Sequence, residues 1–238
     1  MTQTRSNIGQ IKELRHKLTV VERRLEKLFG APEKPRPSSP LESMVHTILS
    51  QNTNDTNSGR AFRSLRKSFP RWEMLLDAPA DKIARAIRVG GLANQKSRNI
   101  KDFLKWVKQT YGRLNLDAMH RMSPEEAVRT FTTLTGIGLK TVYVTLLFAC
   151  GRDVFPVDTH IYRILGRIGI APKKASRDKV TEMVQPLVPR GKSLALHINL
   201  IELGRRICIA RQPRCYECPL TDVCLYPEKN LGPAGKIC

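Results

Sequence analysis

The chain has 238 residues, 41% of them hydrophobic, enough for one large core or two modest ones, and it is expected to fold unaided. Its 41 Lys and Arg against 21 Asp and Glu give a formal charge of +20, which points to a polyanionic partner, nucleic acid ahead of a membrane surface, and exceeds what solubility alone asks for. No apolar run approaches the roughly 18 residues of a spanning helix, and Met1-Thr2-Gln3-Thr4 carries no apolar leader, so a soluble, intracellular protein is expected, cytoplasmic or nucleoid if prokaryotic.

Ile11, Leu14, Leu18, Val21, Leu25 and Leu28 recur at spacings of three and four, predicting one amphipathic helix that docks on a core. A coiled-coil seam is the other reading, but the pattern stops after about two and a half heptads. Pro32, Pro35, Pro37 and Pro40 then mark a linker, and Ser39-Pro40-Leu41-Glu42 restarts the chain with a capping box and proline at the first helical position. Short helices are predicted over 41–50, 58–69, 72–77, 81–89 and 95–111, and a second capping box at Ser123-Pro124-Glu125-Glu126 opens one to Thr133. Further helices are predicted over 140–149, 159–168, 179–187 and 193–208. Strand alternation is nearly absent, so the fold class is all-α.

Between two of these helices lies Leu134-Thr135-Gly136-Ile137-Gly138-Leu139-Lys140-Thr141, whose paired glycines permit positive φ and leave backbone N–H groups open to a phosphate at the following helix N-terminus. Read alone, Gly-x-Gly fits an ordinary helix–helix turn as well. Eighteen residues after Lys140 comes Val157-Asp158-Thr159-His160, with Asp158 placed to cap the next helix. His160 suits packing or hydrogen bonding in that first turn better than a general base. Near the C-terminal end stand four cysteines in the spacing Cys208-x6-Cys215-x2-Cys218-x5-Cys224, close enough to wrap one metal centre. Disulfides suit a secreted chain. Zinc remains a rival to an iron–sulfur cluster, although zinc ribbons use two Cys-x-x-Cys pairs and here one pair is flanked by single cysteines. Cys150 closes an apolar run and reads as a small core residue; Cys238 has no evident role.

The hairpin Leu-x-Gly-x-Gly-x-Lys-Thr, the Val-Asp-Thr-His segment and the four-cysteine run together resemble endonuclease III, the helix-hairpin-helix DNA glycosylase family with an iron–sulfur loop. The resemblance spans about residues 41–227 and takes in Ile48-Leu49-Ser50-Gln51-Asn52-Thr53-Asn54-Asp55 and Gly91-Leu92-Ala93-Asn94-Gln95-Lys96. It implies a two-lobed all-α fold: a helical barrel lobe over 39–152 carrying the hairpin, and a cluster lobe over 153–238 on which the helix and linker of 1–38 pack. Double-stranded DNA would lie across the cleft, and a monomer is expected.

By the same resemblance Lys140 is the nucleophile, forming a Schiff base after which β-elimination nicks the strand, and Asp158 activates it and stabilises the cationic sugar. The bland readings are a phosphate contact for Lys140 and a plain N-cap for Asp158. Cys208, Cys215, Cys218 and Cys224 would hold a [4Fe–4S] cluster. Gly136 and Gly138 would hold the phosphate; Gln51 or Asn52 would fill the gap left by a flipped nucleotide, and Leu92 would separate bases on the opposite strand. Arg211 and Arg214 would contact phosphates. The implied activity is bifunctional repair of damaged, oxidised pyrimidines. Asn52, Gln51 and Ala93 depart from the usual glutamine, small residue and aromatic, which leaves the lesion open. Thr135 and Leu139 replace a proline and a basic residue, with one phosphate-directed charge removed. A monofunctional uracil or G:T mismatch glycosylase, a non-catalytic helix-hairpin-helix DNA-binding protein and an electron-transfer protein are the rival readings.

Overall fold

The computed structural model describes residues 2–33, 38–172 and 174–232, with side chains from residue 9 onward. Every regular element among these residues is helical. The α-helices run in chain order α1 (Thr2–Phe29), α2 (Pro40–Ser50), α3 (Asp55–Ser68), α4 (Trp72–Asp77), α5 (Ala80–Ala86), α6 (Ala93–Tyr111), α7 (Pro124–Phe131), α8 (Leu139–Phe148), α9 (Thr159–Arg167), α10 (Arg177–Val184) and α11 (Ser193–Arg206). Two compact units result: residues 36–152, and a second in which 1–35 joins 153–238. Pro35, Pro37 and Cys238 lie outside the described residues.

Helix starts follow the capping chemistry. Ser39 Oγ accepts from the Glu42 amide at 3.1 Å, and Ser123 Oγ from the Glu126 amide at 3.1 Å. Helix α3 begins at Asp55, three residues before the predicted start, because Asn54 Oδ1 accepts from the Asn57 amide at 2.8 Å. Two predicted helices end early in 3₁₀ turns: 81–89 divides into α5 and Arg88–Gly90, and 179–187 into α10 and Gln185–Leu187, where Pro186 offers no amide to continue the ladder. The 3₁₀ turns Asp117–His120 and Cys215–Glu217 had no counterpart in the predicted elements.

In the 36–152 unit α6 buries Ile100, Phe103, Leu104 and Val107, one stripe at helical spacing. Helix α2 buries Leu41, Met44, Val45, Ile48 and Leu49, and α8 buries Val142, Leu146 and Leu147. Each such side chain removed from water stabilises the fold by about 1.5–3 kcal/mol before conformational entropy is charged against it.

The second unit is centred on Leu18, Val21 and Leu25 of α1, Ile161, Ile164 and Leu165 of α9, and Leu196, Leu200 and Leu203 of α11. The α1 stripe is therefore buried within the chain, which leaves it no coiled-coil seam. Its ends differ from expectation: Ile11 and Leu28 remain 42% and 46% exposed. Phe29, four residues after Leu25, takes the inward position in place of Leu28 and lies 5.6 Å from the Arg206 guanidinium. Lys192 Nζ meets Glu22 and Glu26 carboxylates at 2.9 Å, tying α1 to the start of α11.

Candidate active site and cysteine loop

The seven residues between α7 and α8 form the hairpin turn. Gly136 has φ +82°, and a Cβ there would lie 2.1 Å from Asn99 Nδ2 on α6, so glycine is required on both counts. Gly138 behaves otherwise. It is extended (φ −101°, ψ 176°), caps α8, and a Cβ on it would meet open space, so the pair supplies one left-handed residue rather than two. An exposed glycine ahead of a helix leaves room for a ligand to approach the helix N-terminus, where the Thr141 amide already donates to Gly138 O at 2.9 Å.

Lys140 is the second residue of α8 and half-buried. Its charge reaches His46 on α2, whose ring packs on Phe62 at 4.8 Å. Partial burial, with Lys140 adding to it against the pull of Asp55 and Glu42, holds His46 below the usual histidine range, so the imidazole is neutral at pH 7. His46 lies one α2 turn before the Ser50–Asp55 loop and was missed in the sequence, where nothing marks it off from the rest of the helix.

The loop after α2 turns Gln51 inward. Its Nε2 donates to Gly136 O at 2.8 Å and approaches Thr141 Oγ1 at 3.4 Å, tying this loop to the hairpin. Asn52, by contrast, is exposed with φ 52°, and Leu92 is 51% exposed with φ 50°. Both are non-glycine residues in the left-handed region, a conformation that costs on the order of 1–2 kcal/mol and persists only where neighbours enforce it. Leu139, where a phosphate-directed charge was missing, is 8% exposed and packs inward.

Asp158 belongs to the other unit and caps α9, its Oδ1 accepting from the Ile161 amide at 2.8 Å. His160 packs against Gly204, and its Nδ1 stands 3.2 Å from Arg163 Nη2. Arg163 also donates to Gly204 O and Cys208 O, both at 2.8 Å.

Cys208, Cys215, Cys218 and Cys224 line one pocket together with Arg167, Arg214 and Tyr226. Burial, reinforced by the other three sulfurs, pushes the Cys218 thiol up to about 11. Arg167 organises both ends of this loop: Nη1 donates to Cys208 Sγ at 3.2 Å and Ile209 O at 2.8 Å, while its own carbonyl accepts from the Leu225 amide at 2.9 Å. Arg211 and Arg214 are exposed, Arg214 at 3.9 Å from Glu217. Cys150 is half-buried, which pushes its thiol up to about 11 and against reactivity.

Residues 45–190 match the model of the HhH-GPD superfamily of base excision DNA repair proteins. Endonuclease III of Bacillus subtilis is 32% identical over 193 residues, covering 81% of this chain and 84% of its own, and endonuclease III of Escherichia coli K12 is 33% identical over 192 residues with 81% and 86% covered. This chain belongs to the endonuclease III family of DNA glycosylases. A putative DNA glycosylase of Arabidopsis thaliana is 38% identical over 170 residues, 71% of this chain, which spans 58% of that longer relative. The fold agrees with that of a trapped endonuclease III–DNA covalent intermediate, with TM-score 0.77, 24% identity and coverage of 88% and 95%. Within this endonuclease III-family chain, Gln51 and Leu139 are the departures that the fold explains directly, one bonded to the hairpin and one packed beneath it.

Proposed function

We propose that this chain removes damaged, oxidised pyrimidines from double-stranded DNA and then nicks the strand by β-elimination through a Schiff base on Lys140. The observation that carries this is the position of Lys140: two residues after the exposed Gly138, at the head of α8, where the positive end of the helix dipole can attract the phosphate beside the attacked sugar. The Lys140 amine must be neutral to attack. Its lone pair forms a bond to the anomeric carbon as the glycosidic bond breaks and the base leaves with that bond's electrons. The nitrogen then loses a proton and the C1′–O4′ bond breaks, its electrons and a proton going to the ring oxygen, which opens the sugar to an iminium; this acidifies the adjacent sugar C–H, and loss of that proton expels the 3′ phosphate. Asp158, which caps α9, would offset the positive charge developing on the sugar.

Extrusion of a nucleotide leaves a gap that protruding side chains must fill. The exposure of Asn52 and Leu92 supports these two as the fillers, and the inward bonding of Gln51 argues for a supporting place behind them. Gly136, Gly138, Arg211 and Arg214 would contact phosphates. The protein is proposed to act as an intracellular monomer; no described helix is long and apolar enough to cross a membrane.

Cys208, Cys215, Cys218 and Cys224 would ligate a [4Fe–4S] cluster. Four thiols on one pocket, with an Arg167 N–H directed at the Cys208 sulfur, suit a thiolate-bound centre carrying negative charge. Among the described residues no three His, Cys, Asp or Glu side chains are arranged to hold a single metal ion. When bound, the cluster would supply a brace for the basic loop that carries Arg211 and Arg214.

Duplexes bearing thymine glycol, uracil, a G:T mismatch or an abasic site, incubated with the protein and with Lys140→Gln, test the assignment. Wild type should nick the thymine glycol and abasic duplexes and be trapped covalently by borohydride. Lys140→Gln should bind both and lose nicking and trapping; unchanged nicking in the variant defeats the scheme.

A further inference from the structure

One buried cation takes no part in that chemistry. Lys96, in the first turn of α6, is 2% exposed, and its Nζ donates to Leu49 O at 2.7 Å and to Gly90 O at 2.8 Å. Desolvating an ammonium costs several kcal/mol, so a site needing only volume is better served by Leu or Met. What the ammonium supplies is a bridge. Leu49 is the penultimate residue of α2, directly before the loop with Gln51 and Asn52; Gly90 closes the 3₁₀ turn directly before Gly91 and Leu92. The same residue also holds Leu92 through its backbone, since the Lys96 amide donates to Leu92 O at 2.9 Å.

Close packing around the bridge leaves these segments little freedom. A Cβ on Gly90 would stand 3.0 Å from the Ala61 Cβ of α3. Three residues on from Lys96, Asn99 presses against Gly136 of the hairpin, and Gln51 Nε2 donates to Gly136 O. The left-handed backbone at Asn52 and at Leu92 is what such over-determination can maintain.

We propose that Lys96 is a positioning residue whose ammonium locks the Asn52 loop to the Leu92 loop, so that both side chains enter the duplex as one rigid wedge. This rests on the glycosylase reading above. Its consequence is selective: opening a paired nucleotide needs the wedge, whereas an abasic site facing a one-nucleotide gap is already open.

Single-turnover cleavage is measured on a thymine glycol:A duplex and on an abasic site facing such a gap, for wild type, Lys96→Met, Lys96→Gln, Leu92→Ala and Leu92→Ala/Lys96→Met. Rates are normalised to folded fraction by far-UV circular dichroism. Lys96→Met should lose at least about tenfold more on the paired lesion than on the open site, Lys96→Gln, which retains an N–H₂ donor, should recover part of that, and Leu92→Ala should add little in the Lys96→Met background. Equal losses on both substrates, or full additivity with Leu92→Ala, would make Lys96 a general stabiliser and overturn the proposal. Should Lys96→Met fail to fold, the substrate ratio of Lys96→Gln decides in the same way. A wild type inactive on both duplexes would instead overturn the glycosylase reading itself.

Discussion

Asp158 combines a structural role with a proposed chemical one, and two substitutions separate them. Its Oδ1 accepts from the Ile161 amide, and asparagine serves as well as aspartate at that position of a helix. Asp158→Asn should therefore melt within a degree or two of wild type, while Asp158→Ala should lose on the order of 1 kcal/mol. Both should lose base removal, since neither carries a charge to offset the cationic sugar; melting curves beside single-turnover excision check this, and an active Asp158→Asn would reduce Asp158 to a cap. At this scale the sequence was informative about residue type and silent about direction. Lys140, Asp158 and the cysteines could be named from spacing and resemblance. That Gln51 points inward to Gly136 while Asn52 stays exposed depends on which rotamers and φ values the surrounding helices permit.

Helix starts were the most legible elements, because capping is local: Ser39, Ser123 and Asp158 each bond an amide three residues on. The start of α11 has a cap no local pattern announces. Asp153 reaches across 38 and 40 residues to accept from the Gly191 amide at 2.6 Å and the Ser193 amide at 3.2 Å. Partial burial opposes its ionisation, but the bonds from Ser193 and Gly191 and the charge of Arg190 outweigh it and hold the carboxyl below its ordinary range near 3.8. A carboxyl depressed in the fold stabilises it fully above its unfolded pKa and ceases to as pH falls through the folded one. Asp153→Ala should thus melt below wild type at pH 7, and the gap should narrow below about pH 4. A gap that stays constant down to pH 2.5 would show that the charge is not what stabilises the α11 start.

Over the whole molecule the charge of +20 should make DNA binding strongly salt-dependent, since each neutralised phosphate releases counterions. Arg211→Ala and Arg214→Ala should each lower the slope of log K against log salt by about one, with little change in lesion preference. A fluorescence anisotropy titration over several salt concentrations reads this, and unaltered slopes would place both arginines off the DNA.

The sequence by itself determined the helical class, most helix starts and the family, and it named the residues proposed for the chemistry, because periodicity, caps and ordered motifs are local or linear properties of a chain. Only the tertiary structure decided that Lys96 joins two loops 41 residues apart, that Gly136 and not Gly138 carries the positive φ, and that Arg167 spans both ends of the cysteine loop. The first and last depend on which carbonyls and sulfurs come within hydrogen-bond reach of one cation when distant segments pack, and the second on the approach of Asn99 from α6. Lysine and arginine, with 41 copies in the chain, give no linear sign of which few are buried for that purpose.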